Sequence, residues 1–286
     1  MFNQRSIVGL LLGPVLFVLV LMMPLPEGMS AQGLSVAAIA VLMAVWWVTE
    51  AIPIPATALL PIVLFPVMGV LSGSEVTRAY GNHLIYLFLG GFLIAVTMEK
   101  WNLHHRIALH TIRLVGLTPQ RIVLGFMLAT AFLSMWISNT ATTMMMVTIA
   151  MAVIKEMQLV EGPASGRLGF GSVLMLGIAY AASLGGVATL IGTPPNAIFA
   201  GVVEKTYGIS ISFLDWMVFA LPLSVVMLGL CWLYLTRIVF VRADLHLPGS
   251  QTVIREQIDR LGAMTRQEKQ VAAVFCTVAA LWVLRG

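Results

Sequence analysis

Eight stretches without a charged side chain follow one another along the sequence, separated by short polar segments. They cover residues 6–26, 28–49, 51–74, 79–98, 122–154, 168–203, 216–236 and 270–284. A helix needs about 20 apolar residues to cross a bilayer, so six of these runs fit one crossing each. The runs 122–154 and 168–203 do not fit, because a straight helix of either length would measure about 50 Å against a hydrocarbon core of about 30 Å.

The distribution of basic residues predicts how the two long runs lie in the membrane, since cytoplasmic loops are enriched in Lys and Arg. If 122–154 enters and leaves on one side, 13 of the 16 basic residues share a face with the N-terminus and the loop 237–269. A single crossing by 122–154 would divide them 7 to 9, and a re-entrant 168–203 would divide them 9 to 7. The pattern favours a re-entrant hairpin at 122–154 and a cytoplasmic N-terminus.

Local signals mark several helix ends. Capping signals precede three apolar helices, at Thr118-Pro119, at Ser212 with Asp215, and at Thr265 with Glu268. The spacing of polar and apolar residues in 101–116 predicts an amphipathic helix lying along the cytoplasmic surface. The predicted fold is therefore an all-α polytopic membrane protein with about seven transmembrane helices and a re-entrant helical hairpin.

Composition agrees with this fold and narrows the function. The chain is 59% hydrophobic and 10% charged, with a mean hydropathy of +0.97, whereas soluble domains are about 25% charged. The excess of basic residues is explained by membrane topology, so we expect no nucleic-acid partner. Cys231 and Cys276 lie in apolar runs and indicate neither a disulfide nor a metal site. The sequence contains no phosphate-binding loop or hydrolase motif, so we expect no enzyme.

A polar cluster, Ser138-Asn139-Thr140, lies in the middle of the run 122–154. At the tip of a hairpin within the membrane it would combine unpaired backbone groups with hydroxyl and amide oxygens. Such neutral oxygens suit a hard cation, while the N-terminus of the second arm would attract an anion. The alternative is structural: the hydroxyls cap the two arms and Asn139 bridges helices.

The second long run contains its own interruption. Gly192-Thr193-Pro194-Pro195-Asn196 lies inside 168–203, and two successive prolines cannot continue a helix. We therefore expect two half-helices, with freed carbonyl groups near Gly192 that complete a cation site. The alternative is a kinked helix whose glycines only permit close packing.

Four motifs together resemble those of the divalent anion:sodium symporter family of di- and tricarboxylate and sulfate transporters. They are WWVTEAIPIPATALLP (46–61), NHLIYLFLGGFLIA (82–95), SNTAT (138–142) and IGTPPN (191–196). The resemblance implies a sodium site formed by Ser134, Ser138, Asn139 and Gly192. It also implies that the substrate contacts Ser138, Asn139 and Thr140. Gly185 and Gly186 are alternatives to Gly192 as the source of the backbone carbonyl.

The resemblance also implies an organisation. Residues 1–118 would hold scaffold helices with the interfacial helix, 119–240 a portion of the transport domain, and 241–286 a cytoplasmic linker and the start of a second repeat. The family forms homodimers that work by elevator-type motion, and each subunit has two inverted repeats with one Ser-Asn-Thr each. This sequence has one Ser-Asn-Thr, so it resembles one half of such an inverted-repeat transporter.

The expected function is sodium-coupled uptake of a C4-dicarboxylate such as succinate or malate in a bacterial inner membrane. The expected partners are the small anion, sodium ions, membrane lipid and a second subunit, with no cofactor other than the coupling ion. The alternative is a truncated or orphan half-transporter with a structural or assembly role. The sequence leaves open the choice among dicarboxylate, tricarboxylate and sulfate, and that between sodium and proton coupling.

Overall fold

The computed structural model describes residues 3–116, 118–161, 169–239 and 248–284, with the backbone alone for 156–161 and 248–253. Every regular element in these ranges is a helix. The helices are α1 Gln4–Leu21, α2 Ala31–Thr49, α3 Ile54–Ala58, α4 Leu60–Val67, α5 Gly73–Tyr80, α6 His83–Lys100, α7 Leu103–Val115, α8 Pro119–Ser134, α9 Asn139–Glu161, α10 Phe170–Val187, α11 Pro194–Tyr207, α12 Phe213–Leu233 with a π-helical end Tyr234–Val239, α13 Pro248–Leu261 and α14 Arg266–Leu284. Of the basic residues counted above, Arg167, Arg242 and Arg285 lie outside the described residues.

Five helical stretches of the described chain are long and apolar enough to cross a membrane. They are Gln4–Leu21, Ala31–Thr49, Gly73–Lys100, Phe170–Val187 and Phe213–Val239, with Ile54–Val67 and Pro119–Ser134 as shorter apolar helices. The chain is thus an all-helical integral membrane protein, as predicted. The run 51–74 differs from the expected single crossing, because it divides into α3, α4 and the start of α5. Pro53, Pro55, Pro61 and Pro66 explain the division, since proline removes a backbone donor and crowds the preceding turn.

The chain forms two compact units, Met1–Ile85 and Tyr86–Gly286. In the first unit, α1 packs on α2 through two glycines. A Cβ atom at Gly9 would overlap Thr49, and one at Gly13 would lie 2.5 Å from Trp46 Nε1. The spacing of Gly9 and Gly13 therefore serves close packing of α1 on α2 within the chain. The predicted division at 118 and 240 stays a prediction.

In the second unit, α10 is the central helix and packs against both α8 and α9. Gly177 of α10 lies against Met127 and Val123 of α8, while Gly171 lies against Ile154 of α9. Further along α10, Gly185 reaches Ala131 and Gly186 reaches Asn139. Thus α10 runs parallel to α8 and antiparallel to α9, and these two arms form a hairpin. The structure confirms the interruption in 122–154, while its depth in the membrane stays a prediction.

Two of the three predicted caps form side-chain hydrogen bonds, whereas Thr118 occupies the N-cap position of α8 without one. Thr118 precedes α8 with Pro119 as its first residue, and Ser212 forms a reciprocal capping box with Asp215. The amide of Thr265 donates to the Glu268 carboxylate at 2.7 Å, and the amide of Glu268 donates to Thr265 Oγ1 at 3.2 Å. These contacts satisfy backbone donors that the first turn of a helix leaves unpaired.

The amphipathic helix expected over 101–116 is α7. Its apolar face is buried within the protein, and Ile112 lies in direct contact with Gly125 of α8. On its other side, Arg106 Nε donates to the Glu268 carboxylate of α14 at 2.8 Å, and its terminal nitrogens donate to the carbonyl groups of Leu261 and Gly262. Its position along the cytoplasmic surface stays a prediction.

Candidate functional site: two interrupted helices in contact

The tip of the hairpin is a four-residue loop, 135–138, between the end of α8 at Ser134 and the start of α9 at Asn139. Trp136 fixes this loop in an aromatic cluster: it stacks on Trp282 and Phe213 at 6.4 and 6.2 Å between ring centroids and meets the edge of Phe275 at 5.1 Å. Such ring pairs favour one arrangement over others. The loop is therefore held in place by α12 and α14.

Ser134 and Asn139 face each other across the tip. Ser134 Oγ lies 2.6 Å from Asn139 Oδ1 and 2.7 Å from the carbonyl oxygen of Ala182 in α10. A hydroxyl group has one proton and cannot donate to both oxygens. Both contacts are satisfied if the Asn139 amide is turned, so that Nδ2 donates to Ser134 Oγ and Ser134 donates to Ala182. The carbonyl oxygen of Asn139 is then available for another ligand.

The second interruption lies between α10, which ends at Val187, and α11, which begins at Pro194. The structure confirms the two half-helices predicted for 168–203. The side chain of Asn196 bridges the interruption, because its Nδ2 donates to the carbonyl groups of Gly186 at 2.9 Å and Thr189 at 2.7 Å. These bonds satisfy carbonyl oxygens that the end of α10 leaves without a helical partner.

Two adjacent glycines of α10 allow the two interruptions to touch. A Cβ atom at Gly185 would lie 2.5 Å from Ala131 Cα, and one at Gly186 would lie 2.9 Å from Asn139 Nδ2. Within the second run, a Cβ atom at Gly192 would overlap the carbonyl oxygen of Gly186. Thr189 adds a direct bond, in which its hydroxyl donates to the carbonyl of Met135 at 2.5 Å. The hairpin tip and the interruption in the second run therefore form one cluster.

The predicted site residues differ in how deeply they are buried and in which groups they contact. Ser134 is fully buried, Asn139 is half-buried, and Ser138 and Thr140 are exposed. Ser138 Oγ accepts a hydrogen bond from the amide of Ala141 at 3.3 Å, as a residue before a helix does. Gly186 is in direct contact with Asn139. Gly192, the glycine that was expected at the sodium site, contacts Gly186 instead.

Sequence reasoning did not assign a role to Thr189, Asn196 or the carbonyl of Ala182. A signal for Asn196 was present, since an Asn two residues after the start of a half-helix is well placed to bond freed carbonyl groups. Ala182 carries no signal, because only its backbone takes part and its partner Ser134 is 48 residues distant in the sequence.

Four helix ends meet in this cluster. The C-terminal ends of α8 and α10 present carbonyl oxygens, and the N-terminal ends of α9 and α11 present amide groups. C-terminal ends attract cations and N-terminal ends attract anions. The runs 122–154 and 168–203 contain no charged side chain, so the cluster offers opposite partial charges and neutral oxygens without a fixed charge.

Comparison with known proteins gives a consistent picture. A family model described as the sodium:sulfate symporter transmembrane region matches residues 4–286. The chain is 46% identical over 288 residues to the sodium-dependent dicarboxylate transporter SdcS of Staphylococcus aureus strain USA300, covering 99% of this chain and 55% of that protein. The same identity and coverage hold for SdcS of the strains bovine RF122 / ET3-1 and NCTC 8325 / PS 47. The chain spans about half the length of the curated relatives it matches.

Proposed function

The chain belongs to the sodium:sulfate symporter family, and on that premise we propose that it takes part in sodium-coupled uptake of a C4-dicarboxylate across a bacterial plasma membrane. Membership of a transporter family agrees with the expectation of a carrier and not an enzyme. The relative SdcS is named a sodium-dependent dicarboxylate transporter. The observation that carries the proposal is the meeting of four helix ends around Asn139 and Gly186.

The proposed sodium ion lies beside the buried side of the tip. Its ligands are Ser134, Ser138, Asn139 and a backbone carbonyl of the second interrupted run. Gly192 is the glycine expected from the sequence, and the contact between Asn139 and Gly186 supports Gly186 as the alternative. Neutral oxygens suit this role, because sodium prefers oxygen ligands and a fixed charge within the membrane would be costly when the ion leaves.

The proposed dicarboxylate binds on the exposed side of the same tip. Ser138 and Thr140 are exposed there, and the first amide groups of α9 follow directly. A carboxylate group in this position would accept hydrogen bonds from the hydroxyls and from the start of the helix. Substrate and sodium would thus share Ser138 and Asn139, and the sodium ion would offset the charge of one of the two carboxylate groups.

The site residues all lie within the unit Tyr86–Gly286, so this unit can carry the site as one body. That arrangement supports an elevator-type mechanism, in which a mobile unit transfers the bound substrate across the membrane. We include in the proposal a homodimer, in which the partner subunit supports the immobile part.

Uptake into proteoliposomes tests the proposed function. The purified protein is reconstituted, and uptake of labelled succinate, citrate and sulfate is measured with an inward sodium gradient, with equal sodium on both sides, and with choline in place of sodium. We expect succinate uptake only with the gradient. Uptake that is equal in sodium and choline would refute sodium coupling, and sulfate uptake without succinate uptake would refute the substrate class. Stable assembly without any uptake would favour the structural role.

A further inference from the structure

A polar cavity opens beside the hairpin, between the end of α6, the start of α7 and the start of α9. Its volume is about 290 Å³, which gives room for several water molecules. The polar side chains that line it are Glu99, Asn102, His104 and Thr142. They come from the end of α6, the start of α7 and the first turn of α9. All belong to the unit Tyr86–Gly286.

This cavity adjoins the hairpin tip, because Ile137 of the loop 135–138 also lines it. Ala141 and Met145 line the cavity and are one helical turn apart. Asn139 is two residues before Ala141, which places it about 200° around the helix axis. Thr142 is three residues after Asn139 and lies about 60° from it around the axis, so the cavity adjoins the proposed transport site. The two sites are distinguished by their ligands, because Glu99 and Asn102 belong only to the cavity.

The hydroxyl of Thr142 is the first observation that points to a ligand. The residue is 2% exposed, and its Oγ1 has no hydrogen-bond partner. By contrast, the hydroxyl of Thr148 in the same helix donates to the carbonyl of Met145 at 2.6 Å. Buried hydroxyl groups nearly always have a partner, so a water molecule or an ion in the cavity is expected to supply the one that Thr142 lacks.

The carboxylate of Glu99 is the second observation. It is half-buried, and no basic side chain of the described residues lies within ion-pair distance of it. The neighbouring cation, Lys100, places its ammonium group 5.7 Å from the centre of the Trp101 ring instead. A partly buried carboxylate without a basic partner attracts a cation from solution.

His104 and Asn102 complete the polar wall. His104 Nδ1 lies 3.0 Å from the carbonyl oxygen of Met98, and since a carbonyl group only accepts, Nδ1 is the donor. This bond fixes the imidazole ring at the junction of α6 and α7. Asn102 has a left-handed backbone conformation with a φ of 55°, which Asn tolerates better than most residues. Asn102 lines the cavity, and an amide oxygen is a neutral ligand of the kind that a hard cation prefers.

We propose that this cavity binds a sodium ion, with the Glu99 carboxylate as its charged ligand. The Thr142 hydroxyl and the Asn102 amide oxygen are neutral ligands, and water fills the remaining positions. One carboxylate balances one monovalent cation, whereas calcium sites combine several carboxylates. The room for several water molecules fits a partly hydrated ion. Binding here does not depend on dicarboxylate transport, so it can be tested on the purified protein without substrate.

The test is sodium-dependent thermal stabilisation of the purified protein, with NaCl exchanged for choline chloride or KCl at constant ionic strength. An ion that binds the folded state raises the unfolding temperature with increasing concentration. Because the proposed transport site also binds sodium, the cavity site is measured in an Asn139→Ala background. There we expect Glu99→Gln to raise the half-saturating sodium concentration about tenfold, because a charged ligand is lost. Thr142→Val should raise it several-fold. The matched controls, Glu256→Gln on an exposed surface and Thr148→Val with a satisfied hydroxyl, should behave like the Asn139→Ala protein.

A second comparison separates this site from the transport site. Asn139→Ala should keep a sodium response that disappears in the double variant Glu99→Gln with Asn139→Ala. If Asn139→Ala alone removes the whole response and Glu99→Gln follows the wild type, the cavity site does not exist and the proposed function stands. If Glu99→Gln removes the response and Asn139→Ala leaves it intact, the cavity site stands and the proposed sodium ligands are wrong.

The behaviour of Thr142→Val without sodium gives an independent check. If the cavity holds only water or nothing, removing an unpaired hydroxyl stabilises the protein at every sodium concentration and leaves the response to sodium unchanged. That result, or equal responses to sodium, potassium and choline in the wild type, would overturn the proposal.

Discussion

Gly185 and Gly186 are adjacent in α10, yet replacing each by Ala should have different consequences. A Cβ atom at Gly185 would meet the backbone of Ala131, with Cα at 2.5 Å. A Cβ atom at Gly186 would meet the end of the Asn139 side chain, with Nδ2 at 2.9 Å. Backbone of a packed helix cannot move aside alone, whereas a side-chain amide can rotate. Gly185→Ala should therefore damage the fold and Gly186→Ala the sodium site.

The magnitudes follow from these distances. The Ala131 carbonyl oxygen is even nearer than its Cα, so a Cβ atom at Gly185 would overlap it and Gly185→Ala must push α8 and α10 apart. Overpacking of a filled interior costs about 1–3 kcal/mol, and a clash between two backbones should lie at the upper end. Gly186→Ala should cost about 1 kcal/mol of stability. It should weaken sodium binding about ten- to a hundredfold, the scale of one contact to a charged group.

Thermal unfolding of the purified protein with increasing sodium measures both effects in one assay. Gly229→Ala is the matched control, because Gly229 lies inside α12 and a Cβ atom there would meet nothing within 4 Å. It should be neutral or stabilise by up to about 1 kcal/mol. A Gly185→Ala protein as stable as the control would refute the close packing of α8 on α10. In a Glu99→Gln background, which removes the cavity site, an unchanged sodium response after Gly186→Ala would remove Asn139 from the sodium ligands.

Three further predictions concern the substrate, the topology and the link between α7 and α14. Thr140→Val should weaken succinate binding by about 1–2 kcal/mol, measured by calorimetry, and should leave sodium binding without substrate unchanged. Equal weakening of succinate and sodium binding would mean that the substitution disrupts the whole hairpin tip. Single cysteines at Lys155 and Arg121 should both be labelled from the cytoplasmic side, and labelling from opposite sides would exclude a re-entrant hairpin. Arg106→Ala leaves Glu268 buried without its partner and should lower the free energy of unfolding by about 3–5 kcal/mol, measured by thermal unfolding. Little change in stability would show that the pair is dispensable. Hydrogen bonds from Arg106 lower the pKa of Glu268. The stabilisation of the folded state by this ion pair should therefore be complete above the ordinary carboxylate pKa and be lost as the pH falls through the lowered pKa. A difference in stability between wild type and Glu268→Gln that does not depend on pH would contradict this.

The interruptions of the two long runs were predictable because they follow from chain length and local chemistry. A run of 33 residues without charge, 122–154, fits neither one crossing nor two. Pro194-Pro195 excludes a continuous helix in the other. The division of 51–74 was missed because the run has the right length for one crossing, and length alone takes no account of its prolines.

The contacts within the site were less predictable, since they depend on packing between distant segments. The sequence singled out Ser134 and Asn139, but their bond is positioned by the carbonyl of Ala182, which has no sequence signal. The choice between Gly186 and Gly192 likewise depends on which glycine α10 turns toward the hairpin. The unpaired hydroxyl of Thr142 is visible only when its neighbours are known, because most threonines in a helix bond to their own backbone.

The two proposed cation sites differ in a way that matters for movement across a membrane. Around Asn139 every ligand is neutral, so the sodium ion and the carboxylate must neutralise each other. At a few ångströms and intermediate dielectric their attraction is about 4 kcal/mol before desolvation, and the site without ligands carries no charge. Glu99 is different, because its carboxylate stays with the protein and an empty cavity would leave it uncompensated. A sodium ion held there would compensate the charge of Glu99 both with and without bound substrate. It would therefore lower the free-energy cost of moving the unit Tyr86–Gly286 through the membrane in the loaded and in the empty state.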